Sequence, residues 1–253
     1  IILKQNYSKE AIELEHKFAY WIRKQENYGV KFDKSSAENL YQVLTKRKLD
    51  LEEQLGLVFR PFQKFIGTFR PKRDNKTKGY KKGVSIKRYK TETFNPNSRD
   101  HIADRLQARG WKPKVFTPDG KPKVDETVLS SLPYKEAKIL SEHFTIQKRI
   151  AQLAEGKQAW LKLERNNKIY GKVIENGAIS GRCTHNSPNI ANVPSTSVPF
   201  GKECRNLFIA PDGFNLVGCD VASLELSLLA HFLFPYDSGD FKKEILAGDI
   251  HAK

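Results

Sequence analysis

Asp220 is the residue whose setting most strongly suggests chemistry. The run Phe214-Asn215-Leu216-Val217-Gly218-Cys219 reads as a buried strand leading straight into it, and Leu224, Leu228 and Phe232 then recur at helical spacing. A carboxylate at a strand-to-helix junction can do two things. It can cap the helix by accepting backbone N–H groups of the first turn, or it can offer a hard oxygen donor to a divalent cation from rigid backbone. Glu225 follows about one helical turn later. A second polar group is the proline-bounded stretch Gly181-Arg182-Cys183-Thr184-His185-Asn186-Ser187-Pro188-Asn189-Ile190-Ala191-Asn192-Val193-Pro194, rich in donors and acceptors. The third is charge. Between Arg70 and Lys90 stand ten Lys or Arg residues against the single acid Asp74. A run of this kind attracts polyanions through counterion release, and Tyr80 and Tyr89 within it could stack on bases; a solvated linker is the alternative reading.

The elements that must position these groups follow from periodicity. The chain has 253 residues, 39% hydrophobic and 11% aromatic, with a formal net charge of +15, which is enough to bury a core. The spacing predicts a helix over 8–28 carrying Ala11, Leu14, Phe18, Trp21 and Ile22, with Ser8 as N-cap and Gly29 at its end. A second helix is expected over about 35–55, with Leu40, Leu44, Leu51 and Leu55 buried, and the two are expected to pack together. The 70–90 run, broken by Gly79 and Gly83, reads as a mobile basic loop or insertion. A helix start at Asn95-Pro96 leads to Ile102 and Leu106 and closes at Gly110. Another helix runs from about Pro133 to Gly156 with Ile139, Leu140, Phe144, Ile150 and Leu153 inward. Beyond that, strands are expected at 168–174, 205–209 and 214–219, placing a domain boundary near 155. Cys183, Cys204 and Cys219 form no Cys-x-x-Cys pair, so neither a disulfide framework nor a cysteine zinc site is indicated. No apolar stretch suggests a signal peptide or a spanning helix, so a cytoplasmic protein without membrane partners is expected. No Met occurs at position 1 or elsewhere, and the chain reads as a fragment.

The polar stretch 181–194, the run Asp220-Val221-Ala222-Ser223-Leu224-Glu225-Leu226-Ser227 and the closing Gly248-Asp249-Ile250-His251 together resemble family A DNA polymerases, closest to their phage replicative branch. The first looks like the family's Thr-Gly-Arg…Pro-Asn-Leu-x-Asn-Ile-Pro signature, the second like motif A, and the third like the start of the fingers. Upstream, Phe94-Asn95-Pro96-Asn97-Ser98-Arg99 resembles the thumb-tip turn, and Gln147-Lys148-Arg149-Ile150 the basic end of the last long thumb helix. Five landmarks thus fall in the family's order.

The resemblance implies a mixed α and β fold, part of a right-hand polymerase: a helical thumb over 1–155 with a basic insertion at about 58–93, then the N-terminal part of an antiparallel-sheet palm over 156–253, with fingers and exonuclease domain absent. It implies that Asp220 and the Val221 carbonyl ligate two catalytic Mg²⁺ ions, and that Glu225 crowds the sugar 2′ position of an incoming dNTP whose triphosphate His251 reaches. Arg182, Asn189 and Asn192 would follow the primer-template minor groove. Asn95, Ser98 and Arg149, with Lys81 and Lys82 of the basic run, would contact the DNA backbone, while His185 would order its loop. The implied activity is template-directed DNA synthesis, lacking in this fragment until the remaining fingers and palm complete it, with a processivity factor as a possible further partner. A non-catalytic nucleic-acid-binding module is the other reading. The sequence departs from the pattern at Ala222 and Ser223, where the phage branch has Ser and Gly, at Ser227 in place of motif A's Arg, and at Ser197, where many members carry a primer-contacting Arg.

Overall fold

The computed structural model describes residues 8–221 and 223–247. Two compact units divide it, one ending at Ile209 and one beginning at Ala210. Near 155, where the sequence suggests a boundary, packing is continuous within the first unit.

Helix α1 (Lys9–Tyr28) begins as its sequence predicts, with the Ala11 N–H donating to Ser8 Oγ at 3.1 Å. Gly29 ends it at φ +65°, and a Cβ there would come within 2.8 Å of the Tyr170 ring, so both backbone and space demand glycine. Strand β1 (Val30–Phe32) leads into α2 (Lys34–Val58), capped by Asp33. Strands β2 (Phe62–Phe69) and β3 (Ile86–Glu92) form an antiparallel hairpin. Next come α3 (Arg99–Gln107), the short α4 (Glu126–Ser130) and α5 (Lys135–Ile150), which continues as one wide turn over Ala151–Glu155 and stops at Gly156. Helix α6 (Trp160–Leu163), β4 (Lys168–Ile169), β5 (Lys172–Ile174), β6 (Thr184–Asn186), α7 (Gly201–Arg205) and β7 (Phe208–Ile209) complete the first unit. The second contains α8 (Leu224–Asp237) packed against α9 (Asp240–Ala247).

Several expectations are corrected. Helix α2 packs along α5 rather than on α1, and the Arg47 guanidinium straps the pair by donating to both Glu142 oxygens at 2.7 and 3.0 Å. In α1 only Ile22 is buried, while Trp21 is 64% exposed and Leu14 and Phe18 are also exposed. The basic segment is not a loop throughout, because its flanks pair as β2 and β3. The first 155 residues are not purely helical, since β1 is the central strand of an antiparallel sheet ordered β4-β1-β7. The run 168–174 splits into two strands that join different sheets, and of 205–209 only Phe208–Ile209 is strand, Arg205 being the end of α7. Residues 214–219 pair with no strand among the described residues, leaving Phe214, Leu216 and Val217 exposed; a strand needs an edge to bond to, and none is offered.

The core of the first unit has two connected parts. One gathers Leu44, Leu51, Ile146, Ile150 and Leu153 of the α2–α5 seam around Phe32, Trp160 and Ile169. The other gathers Leu55, Phe59, Ile102, Leu106, Trp111 and Leu140 beneath α3. Chain on both sides of residue 155 shares the first part. No helix among the described residues is long and apolar enough to cross a membrane.

Candidate nucleic-acid interface and catalytic carboxylate

The turn before α3 is built by its own side chains. Asn95 Oδ1 accepts the Asn97 N–H at 2.9 Å, and Ser98 Oγ accepts the His101 N–H at 3.3 Å. Asn95 is exposed and Ser98 half-buried at the positive end of a nine-residue helix, an arrangement that favours an anion. The turn is fixed from behind, because the Arg99 guanidinium donates to the Val124 carbonyl.

The polar stretch 181–194 begins with the β5–β6 hairpin, in which His185 pairs with Val173. Arg182 is exposed, Asn189 half-buried and Asn192 exposed. The Asn189 Oδ1 atom is enclosed without a hydrogen-bond donor among the described residues. An orphaned amide oxygen is costly to leave unpaired. Two side chains that sequence reading missed hold this stretch: Gln152 Nε2 donates to the Asn192 carbonyl and Arg205 Nε to the Pro194 carbonyl, each at 2.8 Å. Their targets are main-chain oxygens, which leave no pattern in residue types. Gly201 lies so close to the Ser195 carbonyl that any side chain would collide with it.

Arg149 is 8% exposed and donates from Nε to the Pro199 carbonyl at 3.4 Å. It is buried rather than presented to solvent, and through Pro199 it steadies the same loop. Lys81 and Lys82 are exposed at the hairpin tip, where the Lys82 N–H donates to Asp74 Oδ1 at 2.6 Å.

In the second unit, Asp220 and Val221 are exposed in irregular chain just ahead of α8. Ser223 occupies the N-cap position at φ +50° and makes no side-chain cap, so Asp220 is not the cap of this helix. No hydrogen bond or ion pair engages the Asp220 carboxylate among the described residues. Glu225 is exposed in the first turn of α8. No group of three His, Cys, Asp or Glu side chains among the described residues could enclose a metal, so Asp220 and the Val221 carbonyl make at most part of a ligand set. His251 and its neighbours 248–250 lie outside the described residues.

Comparison with known proteins agrees with the sequence landmarks. Residues 70–251 match the family model for DNA polymerase family A. The chain is 36% identical over 299 aligned residues to the DNA-directed DNA polymerases of Enterobacteria phage T3 and Escherichia phage T7, covering 97% of itself and 42% of each relative. It therefore spans less than half the length of those proteins. The thermostable DNA polymerase I of Thermus thermophilus is 29% identical over 150 residues, covering 54% of this chain and 17% of that one. Among solved structures, the POL domain of Pol1 from M. smegmatis, in complex with DNA primer-template and dNTP, gives a TM-score of 0.54 at 16% identity, covering 76% of this chain and 29% of that one, a likeness of fold. The chain belongs to DNA polymerase family A, on the side of its phage members.

Proposed function

We propose that this chain is the thumb and the first part of the palm of a template-directed DNA polymerase, adding deoxynucleotides to a primer 3′ end. The observation that carries the reading is the state of Asp220: an exposed carboxylate, free of capping duty, immediately ahead of α8 in a chain of this family. In the proposed division, residues 1–155 contribute the thumb and 156–253 the palm.

Asp220 Oδ atoms and the Val221 carbonyl oxygen are hard donors and suit Mg²⁺. When bound, a pair of such ions activates the attacking 3′ oxygen and stabilises charge on the leaving pyrophosphate. Asp220 supplies one carboxylate, and the rest of the ligand set is assigned to polymerase sequence beyond the 42% of the relatives' length that this chain spans. Glu225, five positions on, excludes a 2′-OH by occupying the space it needs. Asn189 and Asn192 read minor-groove acceptors, which every base pair presents, and so hold the primer-template almost independently of sequence. Asn189 and Asn192 each carry the amide N–H donors that such a contact needs. Arg182 joins them, Asn95 and Ser98 hold a phosphate at the α3 N-terminus, and Lys81 and Lys82 add charge at the hairpin tip.

The test is primer extension by this chain together with the remaining fingers and palm. Template-directed addition is expected. Asn189→Ala and Asn192→Ala should each weaken primer-template binding by about 2- to 10-fold, the loss of one net hydrogen bond, while the rate at saturating DNA holds. Duplex binding without any extension would instead favour a non-catalytic nucleic-acid-binding module.

A further inference from the structure

The β2–β3 hairpin contributes nothing to the catalytic reading above, yet its register sorts its side chains with a consequence. Phe62 lies opposite Glu92 and Lys64 opposite Lys90, so these four share a face, and the alternation of β3 puts Arg88 on it too. Gln63, Thr91, Phe65, Tyr89 and Lys87 take the other face. The irregularity between Phe65 and Gly67 sets Gly67 opposite Arg88, so the residue directly across from Arg88 has no side chain. Like charges directly opposite destabilise an antiparallel pair, and Lys64 and Lys90 are both exposed, so the arrangement opposes the hairpin's own stability. Glu92, 3.3 Å from Lys64 Nζ, relieves part of it.

The root of this face sits on α3. Phe62 meets the His101 ring edge-on at 5.6 Å, Arg105 lies 3.9 Å above Phe62, and Glu92 reaches His101 Nε2 at 3.3 Å. The basic residues therefore extend the surface that carries the Asn95–Ser98 turn. Lys64 is near enough to join Lys121, the main cause, and His101 in holding the Asp100 carboxyl below its ordinary range.

We propose that Lys64, Arg88 and Lys90 form a backbone grip for duplex DNA, continuous with the turn before α3. The proposal rests on the DNA-binding part of the reading above, and it assigns the hairpin a contact that the family match does not. Duplex rather than single-stranded DNA follows from where the rings are. Phe65 and Tyr89 are on the opposite face in edge contact at 5.8 Å, and Phe69 is engaged with Tyr80 at 5.8 Å towards the tip. Phe69, opposite Ile86, and Phe62 are on the basic face itself, but Tyr80 engages the first ring and Arg105 covers the second, so the stretch between Lys64 and Arg88 offers phosphate contacts rather than a stacking platform.

The experiment uses this whole chain and a short blunt DNA duplex, with affinity measured from low to moderate NaCl. Each neutralised phosphate contributes about 0.9 to the slope of log K against log salt, so K64T/R88T/K90T should flatten the slope by about 2.7, and R88T alone by about 0.9. Threonine keeps strand propensity, and the single variant serves if the triple variant fails to fold. K87T, on the other face, should leave the slope within about 0.3 of the parent. Coincident slopes for parent, triple and single variants would overturn the grip, as would equal effects of K87T and R88T, or a loss confined to single-stranded DNA. If the parent chain shows no salt-dependent duplex affinity, the grip and the DNA-binding reading fall together. If the parent binds and the variants match it, only the grip falls.

Discussion

Replacing Trp160 and Trp21 separately by Ala distinguishes the observed packing from the one that helical periodicity suggests. Trp160 is 1% exposed and meets Phe208 edge-on at 5.2 Å and Phe32 at 6.4 Å, joining α6 to two strands of the β4-β1-β7 sheet. Truncating a core Trp costs about 3–5 kcal/mol, and the two ring pairs, at about 0.5–1.5 kcal/mol each, put this site near the upper end. Trp21 occupies the stripe that the α1 pattern marks as buried, yet it is mostly exposed, with ring contacts to Tyr20 at 5.4 Å and Lys24 at 5.0 Å. An exposed cation–π contact contributes about 0.5–1 kcal/mol, and Ala is the better helix former, so Trp21→Ala should cost under about 1 kcal/mol. Urea denaturation of the whole chain, followed by far-UV circular dichroism, reads both. With m near 2.5 kcal/mol/M, Trp160→Ala should lower the midpoint by about 1.8 M at unchanged m, and Trp21→Ala by less than about 0.4 M. A loss above about 2 kcal/mol at Trp21, or below about 1 at Trp160, would refute the packing described.

Other outcomes follow from single groups. Asp33 caps α2 by accepting the Ser36 N–H at 3.0 Å and the hydroxyls of Ser35 and Ser36, so Asp33→Ala should cost about 1 kcal/mol in the same denaturation at pH 7. The Ser36 amide, with those hydroxyls, lowers its folded-state pKa; the stabilisation is therefore full above the unfolded value and lost as pH falls through the folded one, and the gap between parent and variant should close in acid. Burial pushes the Cys204 thiol up to about 11, so a thiol reagent at pH 8 should label exposed Cys219 promptly and Cys204 only on unfolding; equal rates in single-cysteine variants would contradict that. In the completed polymerase, Glu225→Ala should lower the dNTP/rNTP discrimination ratio, and an unchanged ratio would leave Glu225 a helix-surface residue.

What the sequence made legible was local. Ser8 and Gly29 mark the ends of α1, and Gly156 stops the chain after α5, because caps depend on neighbours in the chain. Leu44, Leu51 and Leu55 are buried as their spacing predicts, but the partner they face is α5, a choice that periodicity on one helix cannot encode. The hairpin is hard to read in the sequence because the strand formers of its flanks, Phe62 to Phe69 and Ile86 to Thr91, are interleaved with Lys and Arg and separated by a basic, glycine-broken tip. At the candidate site, the runs around Asp220, Asn189 and Asn192 resemble the family's motifs and lie within the residues that match its model. The strand expected before Asp220 did not form, since pairing depends on a neighbouring strand and not on the run alone.

Single-turnover primer extension by Asp220→Ala in the completed polymerase tests most directly whether Asp220 ligates the catalytic metal, as proposed. A ligand whose effect is expressed as charge develops should matter for the chemical step and little for binding. The expected result is extension at below about one per cent of the parental rate, with primer-template affinity within about 3-fold of the parent. Extension above that level, or a loss of activity that merely follows a loss of DNA affinity, would contradict the assignment.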